Sequence, residues 1–314
     1  MTSNLAHTPL RVATCLILVL GASAHATENG VDNIAPGTDG FFTLPLDVNN
    51  LPDHLFAFVV YYNHYKARKL NISSQGGEVP GAEVTSDSIT ARLDYVSPLR
   101  IFGGRLGGYV AVPYVRQRVS AFGLNDERKS IGDTTLAPIV LWDMGKSLTL
   151  GAALEITIPT GNYDADRLAN TSNNFYTYKP LFSFTWLPTE RTELSLKATY
   201  SFNEENHDTD YRSGQIFHFD YSASYGVTDN LRLGLNGYYL KQTTDDKQHG
   251  RTVQFFGEDV DDGVRGQVFA VGPALHYTFL EYCSAEIRWA KEFDVENRPE
   301  GDMLWAKLSI PFEL

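Results

Sequence analysis

The stretch Leu148–Pro159, LTLGAALEITIP, decides how the rest of the chain is read. Leu148, Leu150, Ala152, Leu154, Ile156 and Ile158 share one parity, and Thr149, Gly151, Ala153, Glu155, Thr157 and Pro159 share the other. Successive side chains of a strand point to opposite faces, so this pattern gives one apolar face and one small or polar face. A helix repeats every 3.6 residues and would not keep six alternate positions together.

The alternation returns along the chain. It runs through Leu194, Leu196, Ala198, Tyr200 and Phe202, then Phe217, Phe219, Tyr221, Ala223 and Tyr225. It continues in Phe269, Val271, Pro273, Leu275, Tyr277 and Phe279, and in Leu304, Ala306, Leu308, Ile310, Phe312 and Leu314. The same test places strands near 55–67, 87–99, 104–118, 131–143, 147–159, 174–187, 191–203, 213–226, 231–243, 264–279, 282–293 and 302–314. Short turns fall around Arg100 to Gly103, at Met144–Lys146, Pro188–Glu190 and Thr228–Asn230, and at Leu280–Glu281. Longer polar links fall at 68–86, 119–130, 160–173, 204–212, 244–263 and 294–301. Short turns at one end, longer loops at the other and an even strand count form the outer-membrane barrel pattern, with both termini on the periplasmic side.

A soluble β-sandwich also alternates, but its strands average nearer 5–6 residues and its outward face is polar. Here the second parity mixes charged with small residues, as a wet lumen does. Aromatic residues gather near strand ends, at Tyr114, Trp142, Phe175, Tyr176, Trp186, Tyr225, Tyr239 and Phe312, as interfacial girdles do. The expected fold class is all-β: a closed antiparallel transmembrane β-barrel of about twelve strands in an up-and-down meander.

The N-terminus carries a different signal. Arg11 precedes the apolar run Val12–Leu20, and Ala24-His25-Ala26 reads as a cleavage site. The run is shorter than the roughly 20 apolar residues of a spanning helix, so it reads as a secretory signal peptide. The expected organisation is a signal peptide at 1–26, an irregular periplasmic or lumenal segment at 27–54, and a barrel at 55–314. Of the two cysteines, Cys15 leaves with the signal, and Cys283 alone forms no intramolecular disulfide. With 43% hydrophobic residues and mean hydropathy −0.23, no later segment reads as a transmembrane helix, which leaves a closed barrel as the way to span a bilayer. The net charge of −12, without a Lys/Arg cluster, disfavours nucleic acid.

Projecting the polar parity inward gives lumen candidates Arg92, Asp94, Glu155, Lys179, Lys197, His218, Asp220, Arg232, Tyr238, His276, Glu286, Arg288, Glu292 and Lys307. Intermixed acids and bases read first as a ladder of ion pairs bracing the wall, and second as a polar track for a solute. His218, Asp220 and Ser222 have the membership of a hydrolase triad, but i, i+2 and i+4 positions stand about 6–7 Å apart along a strand, so catalysis is not expected. The acids Glu204, Glu205, Asp208, Asp210, Asp245, Asp246, Glu258, Asp259, Asp261 and Asp262 read as solvated loop charge without cation-loop spacing. No zinc, phosphate-loop or nucleotide motif is present, so no metal or cofactor is expected.

Five ordered blocks carry a family resemblance: PTGNYDADRLANTSNNFYTYKP (159–180), YSFNEENHDTDYRSGQIFHFDYSASYG (200–226), GYYLKQTTDD (237–246), VFAVGPALHY (268–277) and KEFDVENRPEGDMLWAKLSIPF (291–312). The chain resembles the outer-membrane proteins encoded with aromatic catabolic pathways and named for the meta-pathway of phenol degradation. The resemblance implies a bacterial outer-membrane barrel that passes small hydrophobic, aromatic solutes. Its partners would be outer-membrane lipids, lipopolysaccharide and the barrel-assembly machinery. The C-terminal Phe312-Glu313-Leu314 departs from the aromatic ending common in barrels. Within the blocks, Asn206, Asp210, Tyr211, Arg212, Arg298 and Asp302 are rim candidates, with Asp210 and Arg212 read as a lock on the outer rim or as the shape of a solute entrance. The expected function is passive outer-membrane passage; the alternatives are a closed structural or binding barrel and, remotely, a hydrolase.

Overall fold

The computed structural model describes residues 28, 32–72, 77–79, 81–121, 123–253, 265–280 and 282–313. The expected signal peptide at 1–26 and the acids Glu258, Asp259, Asp261 and Asp262 lie outside these. Among the described residues no helix is long and apolar enough to cross a membrane, which says nothing of crossing by strands.

Twelve antiparallel wall strands follow in chain order. They are β1 (Leu55–Ile72), β2 (Glu83–Ile101), β3 (Gly104–Ala121), β4 in two pieces (Leu124–Ile131 and Thr134–Asp143) and β5 (Leu148–Ile158). Then come β6 (Thr177–Trp186), β7 (Thr192–Asn203), β8 (Ile216–Gly226), β9 (Leu231–Gln242), β10 (Gln267–Phe279), β11 (Cys283–Glu296) and β12 (Pro299–Glu313). Each pairs with its chain neighbour, and β12 returns to β1 over Leu55↔Glu313 through Leu70↔Pro299. That pairing closes the sheet, so no wall strand is left with an open edge.

The alternation is inside-out relative to a soluble protein. On β8, Ile216, His218, Asp220, Ser222 and Ser224 are buried while Phe217, Ala223 and Tyr225 are exposed. Phe182, Leu235, Ile287, Leu308 and Ile310 also face outward, bare of protein cover. An exposed apolar belt around a polar interior is the arrangement hydrocarbon favours. Exposed Trp186, Tyr225, Tyr277, Tyr282 and Phe312 gather toward the short-turn end, and Tyr114, Tyr176 and Phe202 toward the long-loop end. Phe175, expected in this girdle, is buried instead.

Two expected links are strand. Residues 119–121 and 123–130 belong to the tip of the β3–β4 hairpin, where Glu127 joins Arg116, Arg118 and Lys129 and Gly123 takes φ +80. Residues 294–301 turn at Asn297 and Arg298 between β11 and β12. Charged cross-strand pairs make an extended hairpin look like polar loop in one dimension. Within 68–86, β1 also continues to Ile72 and pairs with Gly77–Glu78.

Candidate functional site: an occupied lumen

The interior of the barrel holds the chain that precedes it. Glu28 and residues 32–53 lie lengthwise along the lumen, and the wall bonds to them at both ends and between. At the long-loop end, the Glu28 carboxylate accepts from Tyr163 (3.0 Å), Asn206 (2.8 Å) and Thr209 (2.6 Å). Burial pushes this carboxyl up, against those three donors. At the short-turn end, Arg105 is buried and donates to the carbonyls of Val48, Leu51, Pro52 and Asp53 at 2.6–3.2 Å. One guanidinium thus takes up backbone oxygens that a non-strand segment would otherwise leave unpaired.

Between these ends lie two charged clusters. Glu155 on β5 meets Lys179 (3.0 Å) and Lys197 (2.6 Å) and accepts from Tyr109. Lys197 also reaches Asp39 of the inner segment (3.0 Å), and Lys179 donates to the Asn33 carbonyl (2.8 Å). Asp220 accepts from the backbone N–H groups of Gly37 (2.7 Å) and Asp39 (3.0 Å). On the opposite wall, Glu286 pairs with Arg288 (2.7 Å), whose guanidinium donates to the Gly37 and Thr38 carbonyls (2.5 and 2.7 Å). Gly40 lies against this pair so closely that an added Cβ would sit 2.1 Å from Glu286 Oε1, and Gly37 holds φ +74. Below, Phe42 N–H donates to Glu193 (3.1 Å) and Leu44 N–H to Thr185 (2.9 Å). Ile34 adds an apolar anchor among Tyr61, Tyr238 and Trp305.

The other sequence candidates fall as follows. Arg92 and Asp94 pair on β2 (2.9 Å), with Arg92 over the Tyr109 ring. Glu292 accepts from Tyr65 (2.9 Å) and Tyr238 (2.8 Å), and His276 lies 3.3 Å from Glu286. Lys307 stands opposite Glu286 in register. Arg232 lies apart at the short-turn end, bonded to the carbonyls of Glu190 and Arg191. His218 meets Asp220 (2.9 Å), but the Ser222 hydroxyl donates to the Gly40 carbonyl, so the three do not assemble as a triad.

At the rim, Asn206 turns inward to Glu28, and buried Tyr211 donates to Asp246. Asp246 also accepts from Gly214 N–H and Gln242, each at 2.6 Å. Asp210 and Arg212, read as a rim lock or an entrance, do not pair with each other: Asp210 meets His249 (3.1 Å), and Arg212 is exposed and lies opposite Lys247 in the loop ribbon. Both sit at outward positions of the loop ribbon, which sequence order alone could not assign. Arg298 points in to Asp32 (2.8 Å), whereas Asp302 is exposed. Sequence reading missed Arg105 and Glu193, and it took Asp246 for solvated loop charge where the side chain is buried among three donors. Glu193 shares the parity of Lys197 and was findable that way. The others depend on the path of the inner segment and the loops.

The inner segment leaves a cavity of about 350 Å³ that lies mainly along β1–β5 and is bordered by side chains of β6–β8, β11 and β12, with Tyr61, Tyr65, Pro113, Val115, Met303 and Trp305 in its lining. Arg92, Lys197 and Arg298 reach its surface. Among the described residues, no group of three or more His, Cys, Asp or Glu is placed to hold a metal ion.

Closed wall, apolar belt and polar, occupied lumen define a closed twelve-stranded antiparallel β-barrel of the membrane-spanning type. The chain belongs to the family described as the putative MetA-pathway of phenol degradation, whose model matches residues 67–308. An outer membrane channel from Pseudomonas putida F1 is similar over 86% of this chain and 99% of that one, with TM-score 0.73 and 20% identity. The beta domain of the Bordetella autotransporter BrkA aligns over 83% of this chain and 100% of that one, with TM-score 0.51 and 8% identity. At these identities the likeness is one of fold. No curated protein matches.

Proposed function

We propose that this chain is an outer-membrane channel for passive passage of small hydrophobic solutes, aromatic compounds among them. The signal peptide would deliver it to the periplasm, and the barrel-assembly machinery would insert it with its short turns inside. The observation that carries the reading is the cavity of about 350 Å³, the size of site that takes one small organic molecule. Its wall offers the ring faces of Tyr61, Tyr65 and Trp305 for an aromatic body, and Arg92 and Lys197 for a hydroxyl or carboxylate. No energy source is required: diffusion down a gradient suffices where a degradative enzyme consumes the solute.

A second reading is favoured by the occupied lumen: a closed binding or structural barrel whose inner segment blocks passage. Planar-bilayer recording and liposome swelling with the purified protein separate the two. Channel function predicts ion steps and swelling with small solutes, with added benzoate interrupting the steps. A folded barrel that passes no small solute ends the channel reading and leaves the closed barrel.

A further inference from the structure

The outer surface of the barrel carries a charged cluster that the lumen does not use. Ile89 on β2, Tyr114 on β3 and Ile131 on β4 are more than half exposed and mark the long-loop edge of the apolar belt on this side. The next outward positions on β3 and β4, roughly 6–7 Å further along, are Arg116 and Lys129. These two cations are direct cross-strand partners. Like charges placed opposite each other in a sheet repel, so the pairing is costly unless an anion lies between them.

Among the described residues, Glu127 is the carboxylate in ion-pair contact with all three cations, while Asp87 and Glu83 act on Arg116 and Arg118 only from a distance. Glu127 receives Arg116 (3.0 Å), Arg118 (2.6 Å) and Lys129 (2.8 Å). Asp87 stands opposite Arg116 in register, but its carboxylate is held by His64 (2.8 Å) and Tyr62 (3.3 Å) on the other side. Arg116 Nε, itself shielded from the surface, has no acceptor among the described residues, while the side chain as a whole is 41% exposed. The cluster is therefore short of negative charge at the level where the hydrocarbon ends, and its three cationic side chains are 41–49% exposed.

We propose that Arg116, Arg118 and Lys129 bind the phosphate of a phosphorylated glycolipid in the outer leaflet of the membrane. A phosphate monoester presents acceptor oxygens that match a guanidinium fork and a neighbouring ammonium. The lipid is favoured over free phosphate by position. Its acyl chains would lie on Ile89, Tyr114 and Ile131 while its headgroup lay against the three cations, so both ends gain contact at once. Tyr114 has the amphipathic ring that suits such a boundary. The inference rests on the membrane placement proposed above, which detergent-to-liposome insertion reports separately from lipid binding.

The test is retention of bisphosphorylated lipid A by the full-length protein in micelles, read by native mass spectrometry and titration. Wild type should hold the lipid, and Arg116→Gln with Lys129→Gln should weaken it roughly tenfold or more. Glu127→Gln removes the competing carboxylate and should tighten binding. Lys146→Gln, at an exposed short-turn position, should change nothing. Heat-modifiable gel migration confirms that each variant is folded. Equal binding of dephosphorylated lipid A, equal binding by the double variant, or weakening by Glu127→Gln would overturn the proposal. Saturation by inorganic phosphate at the same concentration as the lipid would also overturn it, by making the site one for free anions.

Discussion

From β6 to β12 the inward side chains reach the inner segment with charge and hydroxyl; from β1 to β4 most of them line open space. Lys179, Lys197, Asp220 and Arg288 each bond to residues 33–39, the first three at the edge of the cavity, whereas the shorter Ser86, Ser88, Thr90 and Val115 face the cavity itself. Both halves keep the same period of two and the same apolar exterior. The difference lies in the length and charge of the inward residues. Long charged chains converge on a backbone that offers carbonyls and N–H groups, and short ones leave a void. One half of the wall holds the segment and the other half leaves room beside it.

The largest test of this contrast removes the held element. Deleting residues 27–48 should raise single-channel conductance several-fold, because the segment occupies the lumen along its length. An unchanged conductance would mean that the wall itself sets the bore. Arg288→Ala comes next. It takes from buried Glu286 its guanidinium partner, leaving His276 at 3.3 Å, and frees the Gly37 and Thr38 carbonyls, so unfolding in urea should show a loss of about 3 kcal/mol. A loss below about 1 kcal/mol would show that the pair does not brace the barrel.

The loop end offers a pH test. Burial raises the Asp246 carboxyl to about 6, despite donors from Tyr211, Gly214 and Gln242. An acid whose folded pKa exceeds its unfolded value binds more protons when folded. Its stabilisation is complete below the unfolded value near 3.8 and is lost as pH rises toward 6. The span amounts to at most about 3 kcal/mol. Amide exchange in 209–216 and 243–248 should therefore quicken between pH 4 and 6.5, beyond the intrinsic rate. Asp246→Asn should flatten that dependence; a variant with the wild-type profile would assign the effect elsewhere.

The wall was largely legible because alternation is local: each strand declares its two faces within its own residues. Hairpin tips were not, since Val119, Ser120, Asn125, Asp126 and Glu127 form strand only by pairing across the tip. The inward acids and bases could be named from parity, but their partners could not. Lys197 and Asp39 are joined by a segment whose Gly, Pro and Asp content carries no period at all. Arg105 acquires its role only when four carbonyls arrive from residues 48–53. A site built from a non-periodic segment inside a periodic wall is readable on the wall side alone.

The smallest expected effect on stability comes from the open half. Thr90 faces the cavity beside Arg92 and Tyr61. In a packed core an added aromatic ring typically costs about 1–3 kcal/mol through strain. In a void of about 350 Å³ the ring of Thr90→Phe has space, and new contacts offset its lost rotamer freedom. Stability should therefore shift by less than about 1 kcal/mol, while solute passage falls and benzoate no longer interrupts conductance. If instead the variant unfolds as readily as Arg288→Ala, the cavity is not free space in the folded protein, and the contrast between the two halves fails. If passage is unchanged with stability intact, solutes travel by a route that does not include this cavity.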